Sequence, residues 1–67
     1  MNQFEAIYIK GRPIQVSILD KHISYRDKGV FFAHKENKKV TMMVIAETYE
    51  EAEKFAMSYI IKKGYDQ

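Results

Sequence analysis

Few side chains in this sequence are placed to carry out a reaction. Its only histidines are His22 and His34, and it contains no cysteine. A zinc site would therefore need both histidines together with carboxylates from elsewhere, and their spacing does not indicate one. No serine lies in a nucleophile motif, and the three glycines are too isolated to form a phosphate-binding loop. We therefore expect a non-catalytic protein that holds no metal ion and no cofactor.

Basic residues are the second group that could provide a function. Six of them lie in or beside turns that the sequence predicts, with aromatic residues nearby: Arg12, Arg26, Lys28, Lys35, Lys38 and Lys39. Basic loops around exposed rings can bind single-stranded nucleic acid, and a basic β-ribbon can enter the major groove of DNA. Against this, the net charge is only +2, and residues 29–37 lack the aromatic order of an RNP motif. A solvated turn that discourages aggregation at a sheet edge is the alternative for residues 35–39.

The length and composition indicate a single small domain over residues 1–67. A chain of 67 residues buries only about 60% of the surface that its unfolded form exposes. Because it has no disulfide, it needs a well-filled core, an oligomer or a partner. Apolar residues make up 46% of the sequence, but no apolar run approaches the ~18 residues of a membrane span. The N-terminus lacks the features of a signal peptide, so we expect a cytoplasmic protein with no membrane attachment.

The end of the chain carries the signals of a helix over residues 48–63. Thr48 and Glu51 fit a capping box, in which each side chain accepts a hydrogen bond from the backbone N–H of the other residue. Apolar residues then recur at spacings of three and four, which predicts one apolar stripe along the helix. Gly64 follows two lysines in the last turn and predicts a left-handed stop.

The front of the chain is typical of strands, because apolar residues recur at alternate positions. We predict strands over residues 3–9, 14–18, 23–26, 30–34 and 40–46, and turns over 10–13, 26–29 and 35–38. At residues 19–21 the alternation changes phase, which indicates a bulge, a bend or a turn. The predicted fold class is α+β: an antiparallel four- to five-stranded β-meander followed by one C-terminal α-helix (about 48–63) packed on one sheet face.

One helix covers only one face of a sheet, so the other face should be polar. Alternation predicts a mostly aliphatic set under the helix: Ile7, Ile9, Ile14, Val16, Ile18, Val30, Phe32, Val40, Met42, Val44 and Ala46. The set predicted for the other face is richer in aromatic residues: Phe4, Ala6, Tyr8, Leu19, Phe31, Ala33, Met43 and Ile45, mixed with Gln15, Ser17, Lys39 and Thr41. Ile23 and Tyr25 are further candidates for this face. Either this register is wrong and loops bury several of these residues, or the second face is an exposed interaction patch.

An exposed patch of Phe, Tyr and Met is typical of the centre of a protein interface. We therefore predict a small binding protein, an inhibitor or modulator of another protein, that acts through this sheet surface or self-associates as a homodimer. The residues expected at the interface are Phe4, Tyr8, Tyr25, Phe31 and Met43. The order of strands and helix resembles, in topology alone, the small arm-type DNA-binding domains of phage-like integrases. A protein of phage or mobile-element type would fit this size, and nucleic-acid binding is the alternative function.

Overall fold

One antiparallel sheet and one helix make up the protein. A computed structural model describes all 67 residues. Its elements are β1 (Asn2–Ile9), β2 (Gln15–Asp20), β3 (Gly29–Glu36), β4 (Lys39–Ala46) and α1 (Tyr49–Lys63). The predicted α+β fold class is confirmed, and residues 23–26 lie in the connection between β2 and β3 rather than in a fifth strand. The single helix is too short and too polar to cross a membrane.

The strands pair in the order β2-β1-β4-β3, so that β1 and β4 are central and β2 and β3 form the edges. Consecutive strands form two hairpins, β1–β2 and β3–β4, which join through β1 and β4. The first hairpin turns at Gly11 with a φ of 85°, and the Arg12 N–H donates to the Ile9 carbonyl at 3.0 Å. The second turns at Asn37, whose φ of 56° is one that Asn adopts more readily than most residues.

The phase change predicted near Asp20 is a bulge in the β1–β2 pair. Phe4 pairs with Ile18, but the preceding residue on β1, Gln3, pairs with Asp20 rather than with Leu19. Leu19 is therefore the extra residue, and the alternation of side chains along β2 changes at this point.

A second bulge lies in β3, where the sequence predicts regular alternation. Pairing on β3 moves by two residues, from Val30 to Phe32, while pairing on β4 moves by one. Phe31 is the extra residue, so Val30 and Ala33 share one face and Phe32 lies on the other. Both Val30 and Ala33 pack against the core. The prediction that Phe32 lies under the helix and that Ala33 lies opposite is therefore wrong.

The core lies between α1 and one face of the sheet. Its ten buried residues are Phe4, Ala6, Tyr8, Val40, Met42, Val44, Ala46, Ala52, Ala56 and Ile60. The helix contributes Ala52, Ala56 and Ile60, which are four residues apart and form one stripe. Because two of these three are alanines, most of the large, fully buried side chains come from the sheet, such as Phe4 and Met42, while Phe55, Met57 and Tyr59 of the helix pack against the core without being fully buried.

The predicted face assignment is wrong for β1. Phe4 and Tyr8 are buried in the core, whereas Ile7 and Ile9 alternate with them and lie half-buried on the opposite face. The register fixes this orientation, because Phe4, Ala6 and Tyr8 pair across from the buried β4 residues Val44, Met42 and Val40. The prediction is correct for the apolar residues on and just before β2 and for those of β4 that were assigned to the helix side. These residues belong to the core or pack against it: Ile14, Val16, Ile18, Val40, Met42, Val44 and Ala46.

The connection over residues 21–28 crosses one end of the sheet. Four residues lie side by side across this end of the strands: Asp20, Gln3, Ile45 and Gly29. The connection joins the two outer members of that row and is held by the Ile23 N–H, which donates to the Met1 carbonyl at 2.8 Å. Ile45 alternates with the core residues of β4 and so faces away from the helix, yet it is fully buried. We attribute its burial to this crossing connection.

The helix begins and ends where the sequence predicts. Thr48 accepts the Glu51 N–H on its hydroxyl at 3.1 Å. The Glu51 carboxylate accepts the N–H of Glu47 at 2.8 Å instead of the predicted Thr48 N–H, so the reciprocal bond is displaced by one residue. Gly64 has a φ of 73°, and its N–H points at the carbonyls of Ile60 and Ile61.

Candidate functional site

The sheet face opposite α1, called the open face here, is covered by no other secondary-structure element. Alternation along the paired strands places a mixture of polar and apolar residues on it: Gln3, Glu5, Ile7, Ile9, Gln15, Ser17, Phe32, His34, Lys39, Thr41, Met43 and the buried Ile45. Phe32 is 63% exposed, and Leu19 of the β2 bulge is 56% exposed. Half-solvated sheets usually carry polar side chains at such positions, so Phe32 and Leu19 are the unusual features of this face.

A shallow depression of about 190 Å³ joins these two residues across the sheet. It is lined by Gln3, Glu5, Leu19, Phe32, Thr41, Met42 and Met43. The Gln3 amide donates to the Met43 sulfur at 2.9 Å, which ties the central strands together beneath the depression. Ligand pockets usually measure about 300–1,000 Å³, so this depression has the size for a partner's side chain rather than for a cofactor.

Three exposed aromatic residues, called the aromatic edge here, lie on β3 and on the connection that precedes it. They are Phe31, Phe32 and Tyr25. The rings of Tyr25 and Phe31 pack at a centroid distance of 5.5 Å and an angle of 44°. Tyr25 belongs to the crossing connection and Phe31 to the bulge of β3, so this contact joins the two segments.

The five residues predicted at the interface differ in their exposure. Tyr25 and Phe31 are exposed and Met43 is partly buried at the floor of the depression. The prediction is wrong for Phe4 and Tyr8 as surface residues, because they are 1% and 7% exposed and offer a partner almost nothing to contact.

The sequence contains a signal that would have placed β1 correctly. Gln3 and Glu5 alternate in phase with Ile7 and Ile9, and two polar residues at the start of a strand indicate the exposed face. Phe32 was missed for a different reason. The bulge at Phe31 reverses the alternation, and no residue type in that strand indicates it.

The six basic residues predicted to bind nucleic acid are divided between two parts of the molecule. Arg12, Lys35, Lys38 and Lys39 lie at the hairpin turns, which share one end of the sheet because Ile9 pairs with Lys39. Arg26 and Lys28 lie in the connection that crosses the other end. The structure therefore does not gather all six into one surface.

Lys28 forms an ion pair within the protein, which none of the basic residues of the turns does. Its Nζ contacts the Glu51 carboxylate at 2.8 Å, and this is the only salt bridge in the protein. That hydrogen bond is the main cause that raises the pKa of Lys28 above its ordinary value. The pKa of Glu51 is lowered, first because its carboxylate accepts the Glu47 N–H and second because it accepts from Lys28. The pair therefore fastens the start of α1 to the beginning of β3.

The two histidines lie on different elements. His22 is in the crossing connection, with a φ of 58°, and its N–H donates to the Asn2 side chain at 3.1 Å. His34 is on the open face of β3. No group of three or more His, Asp or Glu side chains is arranged to hold a metal ion.

Comparison with known proteins adds no further information on function. No protein-family model matches the chain, and no curated protein or solved structure is significantly similar to it.

Proposed function

We propose that this protein is a small non-catalytic protein-binding module, an inhibitor or modulator of another protein, that docks through the aromatic edge. The observation that carries the proposal is the exposure of two adjacent phenylalanines on the edge strand β3, Phe31 at 49% and Phe32 at 63%, of which Phe32 lies on the open face. Exposed apolar patches with aromatic residues mark interaction sites.

The features around the aromatic edge favour contact through side chains over strand addition. Lys35 and Glu36 occupy the far half of β3, and edge charges and bulges both oppose strand pairing. The bulge at Phe31 breaks the regular outer edge of β3 close to the two rings. A partner that supplies an apolar pocket for Phe32, and an apolar side chain for the depression beside it, would match this surface.

The test compares the double variant Phe31→Ser and Phe32→Ser with Ile61→Ser. Ile61 is a matched control, because it is 59% exposed but lies on the helix. We expect Phe31 and Phe32 to act as interface hot spots, so the double variant should lose at least ~2 kcal/mol of binding energy, about thirty-fold in affinity. The control should bind as the wild type does.

The measurement is a pull-down from the host lysate with and without nuclease, together with the solution mass of each purified variant. The proposal is supported if the wild type and Ile61→Ser still capture a protein after nuclease treatment and the double variant does not. If the solution mass of the wild type doubles as its concentration rises and that of the Phe31→Ser/Phe32→Ser variant does not, the protein forms a homodimer instead. Unfolding of the double variant while the wild type is strictly monomeric would contradict the proposal and assign the rings to the core.

A further inference from the structure

We propose that the end of the molecule formed by the hairpin turns and the C-terminus of α1, called the basic end here, binds the phosphate backbone of nucleic acid. Its charged residues are Lys10, Arg12, Lys35, Glu36, Lys38, Lys39, Lys62, Lys63 and Asp66. Seven basic and two acidic side chains give this end +5. The remaining four basic and seven acidic side chains sum to −3, and together the two values return the net +2.

A groove of about 430 Å³ lies between the two turns and the C-terminus of the helix. Its lining residues are Lys10, Lys35, Asn37, Lys38, Val40, Gly64, Tyr65 and Gln67. The Lys35 Nζ donates to the Asn37 carbonyl at 2.7 Å and lies 5.6 Å from the centre of the Tyr65 ring. Lys35 is thus held in place, whereas Lys10 and Lys38 make no hydrogen bond with other side chains or the backbone.

The charge of the basic end is not compensated within the protein. None of its seven basic side chains forms a salt bridge, since the only one joins Lys28 to Glu51 at the helix start. Like charges gathered from three chain segments repel one another, and an anionic ligand that spans several of them would remove this cost. The donors available to it are ammonium groups and the amides of Asn37 and Gln67, which suit phosphate oxygens.

The surroundings of the groove favour nucleic acid over a membrane surface. Binding at a lipid interface requires apolar side chains that enter the bilayer, and the only apolar residues in the groove are Val40, which is buried, and Tyr65, which is half-buried. Repeated phosphates along a strand match several cations spread over one end of the molecule. Contacts to phosphates carry no sequence information directly, so we expect binding without sequence preference.

The test measures fluorescence anisotropy of labelled oligonucleotides of about 20 nucleotides, single-stranded and duplex, between about 50 and 200 mM salt. The wild type is compared with Lys10→Gln/Lys38→Gln and with Lys21→Gln/Lys54→Gln. Both double variants have the same net charge, but only the first loses it from the basic end. All four lysines are exposed, so we expect both variants to remain folded, which circular dichroism checks.

We expect the wild type to bind more weakly as salt rises, with a slope of about −0.7 per phosphate contact on a single strand. The Lys10/Lys38 variant should bind at least about ten-fold more weakly at low salt and show a slope shallower by about 1.4, from two lost contacts. The Lys21/Lys54 variant should bind within about two-fold of the wild type, since its lost charges are remote from the groove.

Three outcomes would overturn the proposal. The first is an absence of binding by the wild type at low salt. The second is an equal loss in both double variants, which would show that only net charge matters. The third is displacement of the oligonucleotide by phosphatidylserine vesicles or by polyglutamate at an equal concentration of negative charge, which would assign the basic end to a membrane or an acidic protein.

Discussion

The two faces of the sheet are built from the same four strands but have different surroundings. On the helix side, Phe4, Met42 and Val44 are at most 1% exposed and belong to the core beneath α1. On the open face, Phe32 is 63% exposed and lies in a strand of similar composition. The difference shows that residue type alone does not decide burial here. Position relative to the helix and, for Ile45, to the crossing connection decides it, and two bulges decide which side chains of β2 and β3 face the helix.

The largest expected difference between the faces concerns two phenylalanines. Phe4→Ala should cost about 3–5 kcal/mol in unfolding free energy, because it leaves a cavity in a closed core. That loss is comparable with the whole stability of a domain of this length, about 0.05–0.15 kcal/mol per residue. Phe32→Ala should change stability by less than about 0.5 kcal/mol, as an exposed substitution does. Urea denaturation followed by circular dichroism measures both, and equal losses would show that the open face is packed.

Enlarging a buried side chain, rather than truncating one, tests how closely the helix packs on the sheet. Ala56 lies on the side of α1 that faces the sheet and is completely buried, so Ala56→Leu should overpack the core and cost about 1–3 kcal/mol. Ser58→Leu places the same side chain on the exposed side of the same helix and should stay within about 0.5 kcal/mol. Thermal and urea unfolding of the two variants gives the comparison. An unchanged stability for Ala56→Leu would mean that space remains between helix and sheet.

The smallest expected effect concerns the bonds that fasten the start of α1. The pKa of Glu51 is lowered in the folded state, chiefly by the Glu47 N–H and then by Lys28. A lowered folded pKa contributes stability above the unfolded pKa, and that contribution is lost as the pH falls through the folded pKa. The melting temperature of Glu51→Gln should therefore fall less than that of the wild type between about pH 6 and pH 3.

Glu53→Gln is the control for this measurement, because Glu53 lies in the same helix and forms no salt bridge. Its melting temperature should follow that of the wild type over the same pH range. If Glu51→Gln and the wild type lose stability equally on acidification, the bonds to Glu47 and Lys28 do not persist in solution.

Local signals in the sequence predicted the elements well. Thr48 and Gly64 mark the ends of α1, because each cap acts within one helical turn of its own position. The turns predicted over residues 10–13 and 35–38 are present, and they contain Gly11 and Asn37, which take positive φ values that few residues adopt readily. The fold class follows from these elements, since four short strands and one helix have few compact arrangements.

The assignment of faces could be read from the sequence only in part. In β1, the polar residues Gln3 and Glu5 would have indicated which side is exposed. In β3, the bulge at Phe31 moves Phe32 to the open face, and this bulge forms only where β3 meets β4. A one-residue slip in pairing exchanges the two faces of a strand, and pairing depends on contacts between residues far apart in the chain.

By itself, the sequence determined the ends of the helix, the two hairpin turns, four of the five predicted strands and the class of fold. The signals for these elements act between neighbouring residues. The tertiary structure decided which aromatic rings are exposed and which basic residues share a surface. The strand order places both hairpin turns at one end, and the helix returns its C-terminus to that same end. Seven basic residues therefore meet there, although they are separated along the chain, since only long-range pairing brings distant segments together.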